Sequence, residues 1–301
     1  MPASSLAAMS LAAMSLAAMP RLSGRKSARR RGITPALIGA TALGLLSLSG
    51  GIALAQPEKC PRMVAERPKV RLAALDAAML KLAEAAGPVH LTFVGHASFL
   101  IESPAGVSIV TDYNDYVRTS AVPRIVTMNH AHDTHYTDAP DPGIEYVLRG
   151  WGRDGAPARH EVTVEDVWIR NVPTNIRRGA GTEYDGNSMF VFEVAGVCIA
   201  HLGHLHHLLT KDHLEALGRI DVVLAPVDGS YTLDLEGMVE VLKSINAPLV
   251  IPMHYFSQYG LERFLARLGQ EWTIERATEP FVMLSRETLP KTRTVLVLPG
   301  R

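Results

Sequence analysis

The sequence predicts an α/β fold in which sheets pack against each other with helices outside. The first half consists of short, alternating apolar strands joined by turns, and in the second half strands alternate with amphipathic helices. A further feature marks where the chemistry lies: histidines gather where those strands end. From Lys69 to Ala86, residues Leu72, Leu75, Met79 and Leu82 share one helical face, and Gly87-Pro88 stops the run. "VHLTFV" then alternates as a strand, and "SFLIES" and "VSIVTD" flank the turn "PAG". "RIVTMN", "EVTVED" and "VWIRNV" read as further strands, and "MFVFEV" and "VCIAHL" join across Ala195-Gly196. Next, helical "TKDHLEALG" leads to the strand "IDVVLAPV", and helical "LEGMVEVLKSI" leads to "PLVIPMH". Helical "GLERFLARLG" precedes the last strands, "WTIER", "FVMLS" and "TVLVLP".

Charge divides the chain unevenly. Residues 1–55 hold six basic residues (Arg21, Arg25, Lys26, Arg29, Arg30 and Arg31) and no acidic one, which leaves 24 basic against 30 acidic in the remainder. A mildly acidic body gives no electrostatic reason to expect a nucleic-acid partner. The N-terminus reads as a signal peptide with a low-complexity leader, residues 1–55. "SLAAM" occurs three times at residues 5–19, Met19 opens a more conventional leader, and an uncharged apolar run closes on Ala53-Leu54-Ala55. Arg30-Arg31 hints at the twin-arginine route. The expected product is exported, periplasmic or secreted, with no stable membrane association after cleavage; the alternative is a retained N-terminal anchor. Residues 56–87 form a linker and helix, and residues 88–301 the main domain. Of the two cysteines, Cys60 and Cys198, the second sits inside strand-like "VCIAHL", where a buried free thiol is expected, although export permits a disulfide.

Nine of the twelve histidines lie in tight groups or at strand ends. "NHAHDTHYTD", residues 129–138, follows the strand "IVTM". If that strand runs on extended, His130 and His132 project to one side and grip a common ion, and His135 turns back if a helical turn begins there. "IAHLGHLHH" and "VIPMHY" share this grammar, a buried strand ending in histidine at a glycine or proline. Three such strand ends converging on one rim would build a metal site, since neutral imidazole is the commonest zinc ligand. His96, His201, His206 and His207 cannot all be ligands as well, and His90, His160 and His213 read as ordinary polar residues. Imidazole also suits Cu, Fe and Ni, so another transition metal is not excluded.

These segments, in order, resemble the metallo-β-lactamase superfamily, in particular its branch of lactonase- and phosphodiesterase-like metallohydrolases, which includes N-acylphosphatidylethanolamine phospholipase D. The resemblance runs from about Val89 to Phe256. "VGHASFLIES" with "IVTDYN" resembles the opening hairpins, and "HAHDTH" stands where the family has His-x-His-x-Asp-His. "FEVAGVCIAHLGH" resembles the strand pair that ends in Gly-Asp, and "PVDGSYTLD" followed by "IPMHY" the late segment with the final histidine. The resemblance implies a four-layer αββα sandwich with a metal site at the edge between its sheets. It makes His130 and His132 first-metal ligands, His135 and His254 second-metal ligands, and Asp112 the carboxylate that orients a ligand histidine. The chain departs from the pattern in three places. Thr134 replaces the motif aspartate, with Asp133 one residue early. "VPTNIRR" offers Asn175 and no histidine. His204 stands at the bridging aspartate.

Two dications held close together are normally relieved by anionic ligands, and losing two carboxylates removes that relief. One zinc ion held by His130, His132, His135, His204 and His254 is therefore favoured, with a second only under high metal supply. The expectation is an exported zinc-dependent hydrolase acting on a small molecule through a metal-activated water, at an ester, lactone, amide or phosphodiester bond. Asp133 is the candidate base, although in an extended segment it would point away from His132, and His207 the candidate proton donor. The rival is a degenerate relative that binds metal or ligand without turnover. A third reading, β-lactam hydrolysis, rests on the family name alone.

Overall fold

The computed structural model describes residues 87–129, 132–152 and 156–300. The expected leader, the linker with Cys60, the helix of 69–86 and His130 lie outside these residues. Among the described residues no helix is long and apolar enough to cross a membrane.

Early strands β1 (Val89–Gly95), β2 (Ser98–Glu102), β3 (Ser108–Val110), β4 (Ile125–Met128) and β5 (Tyr146–Arg149) form a six-stranded sheet with the late strand β13 (Phe281–Leu284), in the order β13-β1-β2-β3-β4-β5. Antiparallel pairing at β1–β2–β3 gives way to parallel pairing at β3–β4–β5. The second sheet contains β6 (Glu161–Val164), β7 (Val167–Arg178), β8 (Gly181–Val194), β9 (Val197–His201), β10 (Val222–Pro226), β11 (Leu249–Met253), β12 (Thr273–Arg276) and β14 (Thr294–Val297). Its order is β12-β14-β11-β10-β9-β8-β7-β6. Helices α1 (Lys211–Leu217), α2 (Leu235–Ile245) and α3 (Gln258–Leu265) follow β9, β10 and β11, as parallel neighbours require a crossover.

Side-chain alternation sorts the core into layers. Ile199, Val222, Leu224 and Ile251 point between the sheets toward Leu91, Phe99 and Ile109, whereas Ala200, Val223, Ala225 and Val250 meet Met238, Leu242, Leu261 and Phe264 of the helices. Strands β9, β10 and β11 are therefore buried on both faces, which is why they read as continuous apolar runs. On the outer face of the six-stranded sheet, Tyr113 and Ile144 pack on Val110, Val126 and Met128, with Tyr136 and Trp151 beside them. Two packed sheets with helices outside match the expected sandwich class. Thr210, Asp234 and Ser257 cap the three helices. His213, which read as an ordinary polar residue, completes a capping box by accepting the Thr210 N–H.

Three sequence expectations need correction. Strand β5 is absent from the sequence reading, because "YVLR" is only four residues long and pairs at the sheet edge. The β7–β8 hairpin runs far past "VWIRNV" and "MFVFEV", to a tip at Gly179-Ala180, through a stretch with few apolar residues. Cys198 is disulfide-bonded and not the free thiol expected.

Candidate metal centre

The parallel strands β4, β9, β10 and β11 deliver the site from their carboxyl ends, the usual place for function in sheets of this kind. After β4 the chain loops from Asn129 to His135 and closes on itself, the Asn129 N–H donating to the His135 carbonyl at 3.2 Å. The His135 N–H donates to the His132 carbonyl at 2.9 Å, which is the turn the sequence needed to bring His135 back. After β9, Gly203 adopts φ +60°; a Cβ there would lie 2.5 Å from Asn129 Nδ2 and from Asn187 Oδ1. Only glycine lets the chain come this close, and the Asn187 Oδ1 it packs against accepts the His204 N–H at 2.9 Å. Strand β10 leads to Asp228 and β11 to His254. His254 (φ 55°) and Asp112 (φ 43°) are both held in the left-handed region without being glycine, a strain that recurs at functional sites.

His132, His135, His204 and His254 come together, each offering one ring nitrogen, with those nitrogens all within 4.8 Å of one another. His135, His204 and His254 are buried and His132 is partly exposed. The outer nitrogens are committed elsewhere. His135 Nδ1 donates to Asp112 Oδ2 at 2.7 Å, and His254 Nδ1 donates to Asp228 Oδ1 at 3.0 Å. Their Nε2 atoms, left without protons, face each other at 3.1 Å. Two lone pairs pointed at each other repel unless a cation sits between them. The His132 and His204 Nε2 atoms are likewise 2.9 Å apart. A four-coordinate ion with bonds of about 2.0–2.1 Å sets its ligand nitrogens roughly 3.3 Å apart; the His135–His254 and His132–His204 pairs are close to that spacing, and the wider separations, up to 4.8 Å, would have to contract around a bound ion. Both carboxylate–histidine pairs have the form that fixes tautomer and ring orientation in metal sites.

Burial holds the His135 and His204 imidazoles well below their ordinary range, with their histidine neighbours adding to the effect, so they stay neutral and ready to ligate. Burial pushes the Asp112 carboxyl up to about 6, against the opposing influence of His201 and the Asn129 hydrogen bond. At Asp228 burial would also raise the carboxyl, but bonds from His254 and Thr232 outweigh it and hold the group well below the carboxylate range.

Of the residues expected from sequence, the structure brings together His132, His135, His204, His254 and Asp112; His130 lies outside the described residues. Asp133 does not join them. Its carboxylate is exposed and accepts the Tyr116 hydroxyl at 2.7 Å. Exposed His207 also stands apart, with its ring 6.4 Å from that of His206. It is the buried His206 that meets the cluster, with Nε2 2.6 Å from His204 Nδ1 and Nδ1 accepting the Arg177 N–H at 2.9 Å. Thr134, at the motif aspartate position, puts its hydroxyl 2.9 Å from His132 Nδ1 and 3.2 Å from His96 Nε2. Asp228 and Asn129 had no assigned role in the sequence reading. The polar run "DGSYT" after a buried strand was the available signal for Asp228, because five donors from residues 230–232 converge on it.

Comparison with known proteins agrees with the fold. Residues 90–254, more than half of the chain, match the family described as a β-lactamase superfamily domain. A UPF0173 metal-dependent hydrolase of Methanosphaerula palustris is 26% identical over 216 residues, covering 65% of this chain and 96% of its own. Its Methanoculleus marisnigri counterpart is 28% identical over 211 residues, covering 65% and 93%. A crystal structure from Thermotoga maritima, of a proposed Zn-dependent hydrolase of the metallo-β-lactamase superfamily, is 30% identical with a TM-score of 0.54 and covers 71% of this chain and 100% of its own. From the strand-end histidines, the paired sheets and the match across 90–254, the chain belongs to the metallo-β-lactamase superfamily.

Proposed function

We propose that this protein is an exported, metal-dependent hydrolase that holds a single zinc ion through His132, His135, His204 and His254 and cleaves an ester, lactone, amide or phosphodiester bond in a small molecule. One observation carries the reading: the proton-free His135 and His254 nitrogens face each other at 3.1 Å, each backed by a carboxylate. A bound ion would supply a water of lowered pKa and polarise the substrate oxygen. The chain's own residues do the rest. Asp112 and Asp228 keep the δ-protons of His135 and His254 in place, so the ε-nitrogens stay available. Burial of those two rings keeps water from the rear of the site, while His132 and His204 line the cleft through which a substrate enters. With Thr134 and His204 at the two carboxylate positions, little anionic charge is available to hold a second dication nearby, which supports one ion.

Export rests on the basic leader, its apolar run and Ala53-Leu54-Ala55. The disulfide at Cys198 fits an oxidising compartment. Elemental analysis of the purified protein, with turnover of an ester and phosphodiester panel before and after chelation, tests the reading. Near one zinc per chain and chelator-sensitive turnover, both lost in His254→Ala, is the expected result. Tight metal binding without turnover would favour the non-catalytic alternative, and no bound metal would sink both.

A further inference from the structure

The cleft above the histidines, about 450 Å³ in volume, has a chemistry that the metal centre does not use. It is lined on one side by His132, His204 and His206, and otherwise by Ile176 to Gly179 at the β7–β8 tip and by Tyr231. Arg177 and Arg178 lie on this rim, both exposed, and no carboxylate lines the cleft. The tip is held in place. The register of β7 against β8 shifts between Thr174 and Ile176, and Asn175 Oδ1 at the shift accepts the Asp185 N–H at 3.0 Å. Such an irregularity re-aims the residues beyond it. The Arg177 N–H then reaches His206 Nδ1, and its NH2 group donates to the carbonyls of Ser230 and Thr232, each at 3.2 Å. This pins one guanidinium at a fixed place beside the metal ligands. Holding the hairpin uses NH2 alone; NH1 and Nε of Arg177 have no acceptor among the described residues. Arg178 is paired through Nε with Glu183, and its side chain remains 53% exposed.

From this we infer that the substrate carries an oxyanion, a carboxylate or phosphate, set apart from the bond that is cleaved and bound by Arg177 with Arg178 beside it. The inference rests on the hydrolase reading and narrows its substrate class. A planar guanidinium with free donors matches an oxyanion in two-point contact. Among the described residues the Arg177 guanidinium contacts only neutral carbonyls, so even with Arg178 paired to Glu183 the rim keeps a net positive charge, which concentrates ligands of the opposite sign.

Two esters differing by one charge test it on the metal-loaded full chain: the 4-nitrophenyl monoester of glutaric acid and its methyl-capped diester. The wild type should prefer the anionic ester at least tenfold in kcat/KM, and in Arg177→Met/Arg178→Met that ratio should collapse toward one. Equal use of both esters by the wild type would overturn the inference and leave the hydrolase reading standing. If neither ester is cleaved, calorimetric titrations with phenylphosphonate and with phenylacetate decide, and the ratio of the two affinities separates phosphate-like from carboxylate recognition. Binding at least tenfold weaker in the double variant upholds the anion site, whereas equal binding, with the phosphonate on the metal alone, overturns it. Should the double variant misfold, Arg178→Met keeps the Ser230 and Thr232 tie intact; it should lower the preference severalfold, and an unchanged preference would count against the proposal.

Discussion

Asp112 and Asp228 do the same job in opposite ways. Each accepts the Nδ1 proton of a buried histidine of the cluster, one behind His135 and the other behind His254. Asp112 is fully buried on a strained backbone, with the Asn129 amide donating at 2.7 Å and His201 Nε2 farther off at 3.9 Å among the described residues. Asp228 sits in a concavity of donors, receiving the N–H groups of Ser230, Tyr231 and Thr232 and two hydroxyls besides the imidazole. Their ionisation diverges accordingly: burial drives Asp112 up to about 6, while the bonds to Asp228 hold it well below its ordinary range. One carboxylate is stabilised by its own surroundings. The other is a buried anion that a metal ion across His135 would relieve. A dication at the ligands is thus worth more to Asp112 than to Asp228.

The largest effect is expected where the carboxylate organises its own loop. Asp228→Asn places an amide N–H₂ against backbone N–H donors, and each buried donor left unsatisfied costs about 1–3 kcal/mol. The metal-free variant should lose at least about 3 kcal/mol, roughly 6–12 °C in Tm for a domain of this size. Thermal melts after chelation check it, and an unchanged Tm would break the comparison.

The next effect tests the surroundings of Asp112. Gly203→Ala must both hold a positive φ and displace the Asn129 and Asn187 amides. Asn129 also donates to Asp112, and its own carbonyl accepts the Ser188 N–H, so the disturbance reaches the His135 side of the site. Overpacking of this sort costs about 1–3 kcal/mol. Metal affinity should fall with stability, measured by competition with a chelator of known strength. A Gly203→Ala protein with full affinity would mean that the Asn129 tie is dispensable.

Much of this arrangement was legible in the residues, for a physical reason. The clustered histidines follow strands buried on both faces, so "IVTM", "VCIAH" and "LVIPM" announce themselves by unbroken hydrophobicity, and the polar residues just beyond must face an edge. Asp112 was legible only through the resemblance of "VGHASFLIES" with "IVTDYN" to the family's opening hairpins. What stayed hidden depends on where side chains turn inside loops. Asp133 and Thr134 are neighbours, yet one points to Tyr116 at the surface and the other into the cluster. No periodicity distinguishes them. His206 and His207 pose the same problem: burial separates them, and it is the buried His206 that meets His204. The long β7–β8 hairpin escaped notice because its tip is ordered by contacts with residues 206 and 230–232, far away in sequence.

Asp112→Asn should part the two carboxylates most clearly, through the sign of its effect more than its size. It removes a buried charge, and asparagine tolerates the left-handed backbone at that position better than most residues do. The metal-free variant should melt at or above the wild-type temperature, unlike Asp228→Asn. Metal affinity should nevertheless drop about 10–100-fold, because an amide N–H₂ facing His135 Nδ1 favours the wrong tautomer. A fall in metal-free Tm would show that Asp112 is stabilised by its surroundings after all.

The smallest effect is a slope. Burial holds His96 and His206 at about 4, against 6.5 for an ordinary histidine. Below pH 6.5 the unfolded chain takes up protons at these positions that the folded protein refuses until about 4, so stability is lost as pH falls across that window. Asp112 works in the opposite sense. Its folded value of about 6 lies above the ordinary 3.8, so the folded protein takes up a proton there as pH falls from 6 toward 3.8, which offsets part of the loss. Metal-free wild type should therefore melt at progressively lower temperature from pH 7 to pH 4.5, and Asp112→Asn, which lacks the compensating proton, should fall more steeply below pH 6. Parallel slopes for the two proteins would mean that Asp112 is ionised throughout, stabilised by its neighbours as fully as Asp228 is, and the contrast between the two carboxylates would disappear.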